Sequence, residues 1–272
     1  MTSIDKRGPE RYPTAAAIRD ALKRTSHRFF ANDNIVQAME QVATESGIHS
    51  LQGVRSNLID EMTQAFEDVL YTAVIDTDND PNSQDTPHRL AKMYINELLG
   101  GRYTHTPKIT AFPNDKASLS NGEESPSKGM DDAKVEAYHF NNLLVVQSPF
   151  ISVCSHHWQP VRGTAYVGII PGHKIIGLSK YTRLVQHIAS AGTLQEELTV
   201  DIAEAVQQYT ESKDVAVVVF ARHGCCENRG IRVPNSNTST AEMRGLFMEK
   251  GKLREEFYDN VKMMRAESHC HG

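Results

Sequence analysis

The sequence has no long apolar run. Its longest, Val215 to Ala221, is far too short to cross a bilayer, which excludes a membrane-spanning helix. It also has no excess of positive charge: 29 Lys+Arg against 34 Asp+Glu leave a formal net charge of -5. A nucleic-acid binder is therefore disfavoured, and any anionic ligand has to be held by a local cluster of cations rather than by the overall field. No apolar stretch opens the chain; MTSIDKRGPERYP is charged and broken by proline, unlike a secretory signal, so the cytoplasm is the expected location. Cysteine is scarce, at 154, 225, 226 and 270. In a reducing compartment four thiols are poor material for a disulfide framework and are better tested as metal ligands or nucleophiles. There is no internal repeat. What remains is an ordinary globular composition, 39% hydrophobic and 23% charged over 272 residues, enough for one large domain or two small ones.

The first half reads as helical and the second as mixed. Residues 14–24 and 33–46 can each form a helix, but their patterns are weak and suggest peripheral elements. From Leu58 the apolar positions Leu58, Met62, Phe66, Val69 and Leu70 recur with the period of an amphipathic helix. Asp85-Thr86-Pro87 reads as a cap and first-turn proline for a helix over 87–99, which carries Arg89 and Lys92 on one face. Residues 114–135 are polar without an apolar period and read as a mobile excursion. Strands are expected over 142–154, 163–171 and 215–223. Ser179 is a plausible cap for a helix over 180–190, Thr193-Leu-Gln-Glu196 resembles a capping box for a helix carrying Leu198, Ile202 and Val206, and 245–264 should close the fold as a helix.

Chemistry concentrates at Cys154-Ser155-His156-His157 and His223-Gly224-Cys225-Cys226. Thiolate and imidazole are the donors that zinc selects, and two Cys plus one His leave a fourth tetrahedral position open, as a catalytic site requires. In an extended chain His223 and Cys225 point to one side and Cys226 to the other, which makes Cys226 a bystander. Cys154 and His157 reach one ion only if the chain turns between them. His156 and His223 are then candidate proton carriers. Either cluster alone is a common accident, since a buried cysteine is usually a small apolar residue; the weight lies in the pair.

Cys154-x-His156-His157, Gly177-Leu-Ser-Lys180, Gln195-Glu196 and His223-x-Cys225-x-x-x-Arg229-Gly230 together resemble the GTP cyclohydrolase I family, as does Asp85-Thr-Pro-His-Arg89-Leu-Ala-Lys92. The resemblance runs from about residue 57 to about Phe247. It implies an α+β tunnelling fold, an antiparallel four-stranded sheet with helices on one face, preceded by an N-terminal helical segment. Residues 1–56 would be an extension and 57–272 the catalytic domain. It further implies Zn2+ on Cys154, His157 and Cys225, supplying hydroxide to attack C8 of the guanine, with acid/base work by His156 and His223 and a role for Ser179 at the opened ribose. The reaction so implied releases formate and yields 7,8-dihydroneopterin triphosphate.

The resemblance also implies guanine recognition by Glu196 with Gln195 beside it, a role that suits a carboxylate, which accepts from N1–H and the 2-amino group together, a donor pair adenine lacks. The sequence by itself favours the helix cap for Glu196. By the same resemblance Ser179, Lys180, Arg183 and Arg229 would line the triphosphate, joined by Arg89 and Lys92 from a neighbouring subunit of a homodecamer. Ser155 stands where the family usually has an acidic residue, and Asn235 to Arg244 follows the family only loosely. Two other readings remain open: a related zinc enzyme that stops early or takes another purine nucleotide, and a non-catalytic nucleotide-binding regulator with structural zinc.

Overall fold

The computed structural model of the chain describes residues 10–25, 32–114 and 140–270, with side chains described for 10–24, 34–114 and 140–267. Most of the polar stretch 114–135 and the side chains of His269, Cys270 and His271 lie outside those residues. The chain divides into two compact units: residues 1–106 with 189–193, and residues 107–188 with 194–272. Among the described residues no helix is long and apolar enough to cross a membrane.

The first unit is helical: α1 (Pro13–Thr25), α2 (Asn32–Ser46), α3 (Leu51–Thr72) and α4 (Thr86–Lys92). Ile18 and Leu22 of α1, Ile35 and Met39 of α2, and Val54 and Leu58 of α3 belong to one buried cluster. The weakly patterned α1 and α2 are therefore core elements of this unit rather than peripheral ones. Their narrow stripes of alanine and single large residues suffice because three helices share one interior. Glu61 is buried and accepts from the N–H groups of Thr14 and Ala15, at 2.6 and 2.9 Å, which places an anion on the otherwise unpaired donors that open α1. Helix α3 starts at Leu51, well before the apolar period, because the Ser50 hydroxyl accepts from Gly53 N at 3.2 Å. Asp85 precedes α4 but its side chain makes no capping bond; it faces Arg89 at 3.2 Å instead. The helix expected to continue to 99 loosens into a π turn at Met93–Leu98.

The second unit carries the sheet. In chain order it contains β1 (Ala111–Pro113), β2 (Leu144–Val153), β3 (Pro160–Ile170), β4 (Lys174–Ile176), α5 (Leu178–Ala189), α6 (Gln195–Thr210), β5 (Asp214–His223), the short α7 (Gly224–Glu227), β6 (Thr238–Met243) and α8 (Lys252–Cys270). Strands β2, β3, β5 and β6 form an antiparallel sheet in that order, and β1 pairs with β4 separately. Alternation on β5 assigns the two faces. Ala216 and Val218 join Tyr166, Phe247, Phe257 and Val261 in one buried cluster, so these even positions lie under α8. Gly168 lies under the Phe257 ring, where an added Cβ would come within 2.5 Å of it.

The odd positions Val215, Val217, Val219 and Ala221 are equally buried and point the other way. Thr240 pairs with Val219 across the β5–β6 ladder, and its hydroxyl meets Gln195 and Thr199 of α6, so α6 covers that second face. The layer of helix expected on the sheet is thus present as α6, and α8 covers the opposite face as well.

Two capping expectations change. Helix α5 begins at Leu178, which puts Ser179 inside its first turn rather than at the cap. At α6 the carboxylate that accepts from Leu194 N, at 3.3 Å, belongs to Glu197, and the Thr193 hydroxyl is buried without a partner among the described residues. Glu196 is exposed and free of capping duty.

Candidate metal centre and active site

The odd series of β5 ends the site's construction at one pole of the sheet. Four buried apolar residues on the α6 face are followed at the same two-residue interval by His223, the last residue of the strand. Strand geometry stops there. Residues 224–227 turn into α7, so alternation no longer decides where Cys225 and Cys226 point; the helical turn does. Gly224 is buried at this corner, where a Cβ would stand 2.9 Å from the Pro160 carbonyl. On the neighbouring hairpin, β2 runs out at Val153 and the chain reverses through residues 154–159. Cys154 N donates to the Gln159 carbonyl at 3.0 Å and Trp158 N to the Cys154 carbonyl at 2.9 Å, with Trp158 at φ 54°. Because Val161 pairs with His223, this hairpin and the end of β5 meet.

The result is a cluster of three donors. One ligand atom each from Cys154, His223 and Cys225 lies within 4.8 Å of the others. Cys154 is buried, while His223 and Cys225 are half-buried. Burial pushes the Cys225 thiol up to about 11, with Cys154 and Cys226 adding to the effect. A cation between the two sulfurs is what allows both to ionise side by side, so the donor set fits a soft or borderline divalent ion. Cys226 stays outside the cluster, with its sulfur 3.9 Å from that of Cys225.

The turn after Cys154 leaves His156 and His157 exposed, their ring centroids 6.3 Å apart. His157 does not belong to the three-donor cluster; His223 occupies that place. Burial lowers the His223 imidazole below its ordinary value, and the Glu196 carboxylate works in the opposite direction. His223 Nε2 lies 2.7 Å from the side-chain oxygen of Gln195. Gln195 itself is 6% exposed. Its amide nitrogen is directed at the carbonyls of Val219 and Thr238, both 3.3 Å away, and at the Thr240 hydroxyl at 3.2 Å.

Ser179, Lys180 and Arg183 lie in the first turns of α5, and Arg229 lies exposed just beyond α7. Arg222 pairs with Glu227 at 2.8 Å and Arg244 with Glu242 at 2.9 Å, whereas Lys180, Arg183 and Arg229 have no ion pair among the described residues. Arg89 and Lys92 belong to the helical unit, on α4. Sequence reasoning missed Thr199 and Thr240. Neither carries a local signal, since their meeting depends on the β5–β6 register and on which face α6 covers.

Known proteins resemble this chain over most of its length. The family model for GTP cyclohydrolase I matches residues 62–262. GTP cyclohydrolase 1 of Campylobacter jejuni is 36% identical over 203 residues, which cover 74% of this chain and 96% of that protein. The Vibrio campbellii protein of the same name is 31% identical over 229 residues, 84% of this chain and 95% of its own. The Campylobacter lari protein reaches 41% over 136 residues, 50% and 72% of the two chains. With a match across most of its length and two thiols and an imidazole gathered at the end of an antiparallel sheet, the chain belongs to the GTP cyclohydrolase I family.

Proposed function

We propose that the chain is a GTP cyclohydrolase I that uses a zinc ion to open the imidazole ring of GTP at C8, releases formate, and rearranges the remainder to 7,8-dihydroneopterin triphosphate. The observation that carries this reading is the gathering of Cys154, His223 and Cys225 within 4.8 Å, from two separate stretches of chain. Zinc, when bound there, supplies an activated water for attack at C8.

The chain's own residues do the rest. Glu196 is exposed, free of capping, and electrostatically coupled to His223, so its carboxylate is available to accept from guanine N1–H and the 2-amino group. Lys180, Arg183 and Arg229, unpaired among the described residues, cradle the triphosphate together with Ser179, which also serves the opened ribose. Arg89 and Lys92 complete the cradle from a neighbouring subunit of a homodecamer. The open sheet edges β2 and β6 favour such an assembly, because unpaired edges seek partners. Exposed imidazole at His156 moves the protons, joined by half-buried His223 in the reading that leaves the ion on His157.

The third metal donor divides two readings. Family resemblance assigns it to His157, with His223 as proton carrier; the clustering favours His223 as the ligand. Metal analysis of His157→Ala and His223→Ala separates them, since only the variant lacking the ligand loses its ion. The activity itself is tested by following formate release and pterin fluorescence from GTP with and without a zinc chelator. Turnover that survives complete metal removal overturns the zinc chemistry.

A further inference from the structure

We infer that Gln195 is a positioning residue that fixes the tautomer of His223, holding the proton on Nε2 and leaving the lone pair on Nδ1. The inference deepens the proposed zinc-dependent reaction and rests on that reading for its catalytic consequence. Its structural content is independent of it.

The case follows from counting protons along one chain of hydrogen bonds. Backbone carbonyls only accept. The Gln195 group that faces the Val219 and Thr238 carbonyls must therefore be the NH2, and the group that faces His223 must be the oxygen. An amide oxygen only accepts, so His223 Nε2 carries the hydrogen of that 2.7 Å bond. In the neutral ring the lone pair is then on Nδ1.

The same polarity is enforced from the other end. Thr199 donates its single hydroxyl hydrogen to the Gln195 carbonyl at 2.7 Å. In its 2.6 Å contact with Thr240 it can only accept, so Thr240 donates. Thr240 has then used its hydrogen and meets the Gln195 amide nitrogen as an acceptor. From His223 through Gln195, Thr240 and Thr199 to the Gln195 backbone carbonyl, one polarity satisfies every contact, with the two NH2 hydrogens shared among three acceptors. Flipping the Gln195 amide would set its oxygen against two carbonyl oxygens in a site that is 6% exposed, where an unpaired polar group is costly.

The consequence concerns the base as well as the histidine. Gln195 stands next to Glu196, and the family resemblance assigns both to guanine. The structure commits the Gln195 side chain to the sheet and to His223, which leaves guanine recognition to Glu196. Outer partners that orient an imidazole in this way are worth about 10–100-fold in activity or metal affinity.

The test uses 15N-histidine-labelled full-length protein, as purified and after chelation, in two-bond 1H–15N correlation spectra recorded where the rings are neutral. The His223 signals are assigned by their absence in His223→Gln. The wild type should show the Nε2–H form in both samples; a predominant Nδ1–H form overturns the inference, whatever becomes of the zinc reading. Gln195→Met, close in shape and without the amide, should show mixed tautomers and a kcat lower by about 10–100-fold, with KM for GTP within about threefold of wild type. A large rise in KM at unchanged kcat in Gln195→Met would return Gln195 to direct contact with the base and overturn the positioning role. Loss of activity in the wild type on chelation, read separately, reports only on the metal. Should Gln195→Met fail to fold, the wild-type spectrum alone decides.

Discussion

The two faces of the central sheet are built from the same strands and differ in what their alternate residues do. Under α8 the even positions of β5 meet aromatic rings: Phe247 and Phe257 at 5.8 Å, Tyr166 and Phe220 at 6.1 Å, both edge to face, with the Arg265 guanidinium 3.7 Å from the Phe220 centroid. Under α6 the odd positions begin as apolar as their neighbours and end in the polar series Thr240, Thr199, Gln195 and His223. One face is a lock that holds the terminal helix down. The other grades from core into the candidate site along a single strand, so the site end inherits its rigidity from the buried end. Position on the sheet, rather than residue type, separates stability from function here.

That contrast is breakable from either side. The largest effect is expected at the metal pole: Cys225→Ala should lose its ion and bring turnover below detection, while circular dichroism and the urea midpoint stay close to wild type, since neither face is touched. Next comes the aromatic lock. Phe257→Ala, at a ring that is fully buried, should cost about 3–5 kcal/mol by urea denaturation, with kcat within about twofold where the protein remains folded. Gly168→Ala tests the same face more gently, because a Cβ 2.5 Å from the Phe257 ring forces a shift worth about 1–3 kcal/mol.

Ion binding sharpens the comparison through pH. With the Cys225 thiol held up to about 11, the group is protonated near neutrality and must release its proton to bind. Apparent zinc affinity in chelator competition should therefore rise with pH, by about tenfold per unit for each thiol proton displaced, and fall as pH drops. A flat profile would mean that the thiols do not bind the ion. The smallest effect is expected from Thr240→Val on the α6 face: about 1 kcal/mol of stability by urea denaturation, from one lost link in the polar chain.

Much of this was legible in the residues. The period at Leu198, Ile202 and Val206 and the apolar run from Val215 mark α6 and β5 because each is a long segment with one consistent repeat. The two Cys/His clusters announce a metal centre because their side chains have few structural uses. Legibility failed where the decision was shared between distant segments. The α1 and α2 stripes are too narrow to signal burial alone and acquire it from α3. The cap of α6 moved from Glu196 to Glu197 because the helix begins one residue later than the local pattern suggests. Strand alternation placed Cys225 on the His223 side, but a helical turn begins at Gly224 and makes that reasoning inapplicable.

The sequence by itself singled out the candidate residues for the chemistry, since donor type, charge and spacing are local properties that need no fold to be recognised. The periods of its longest segments marked helices and strands, and the family resemblance carried by its motifs implied the antiparallel sheet. Only the tertiary structure decided which imidazole stands among the two thiols, which carboxylate is released from capping, and which nitrogen of His223 keeps its proton. Those three outcomes depend on hydrogen-bond partners that lie on different strands and helices, and a hydrogen bond between distant segments has no trace in the order of residues along the chain.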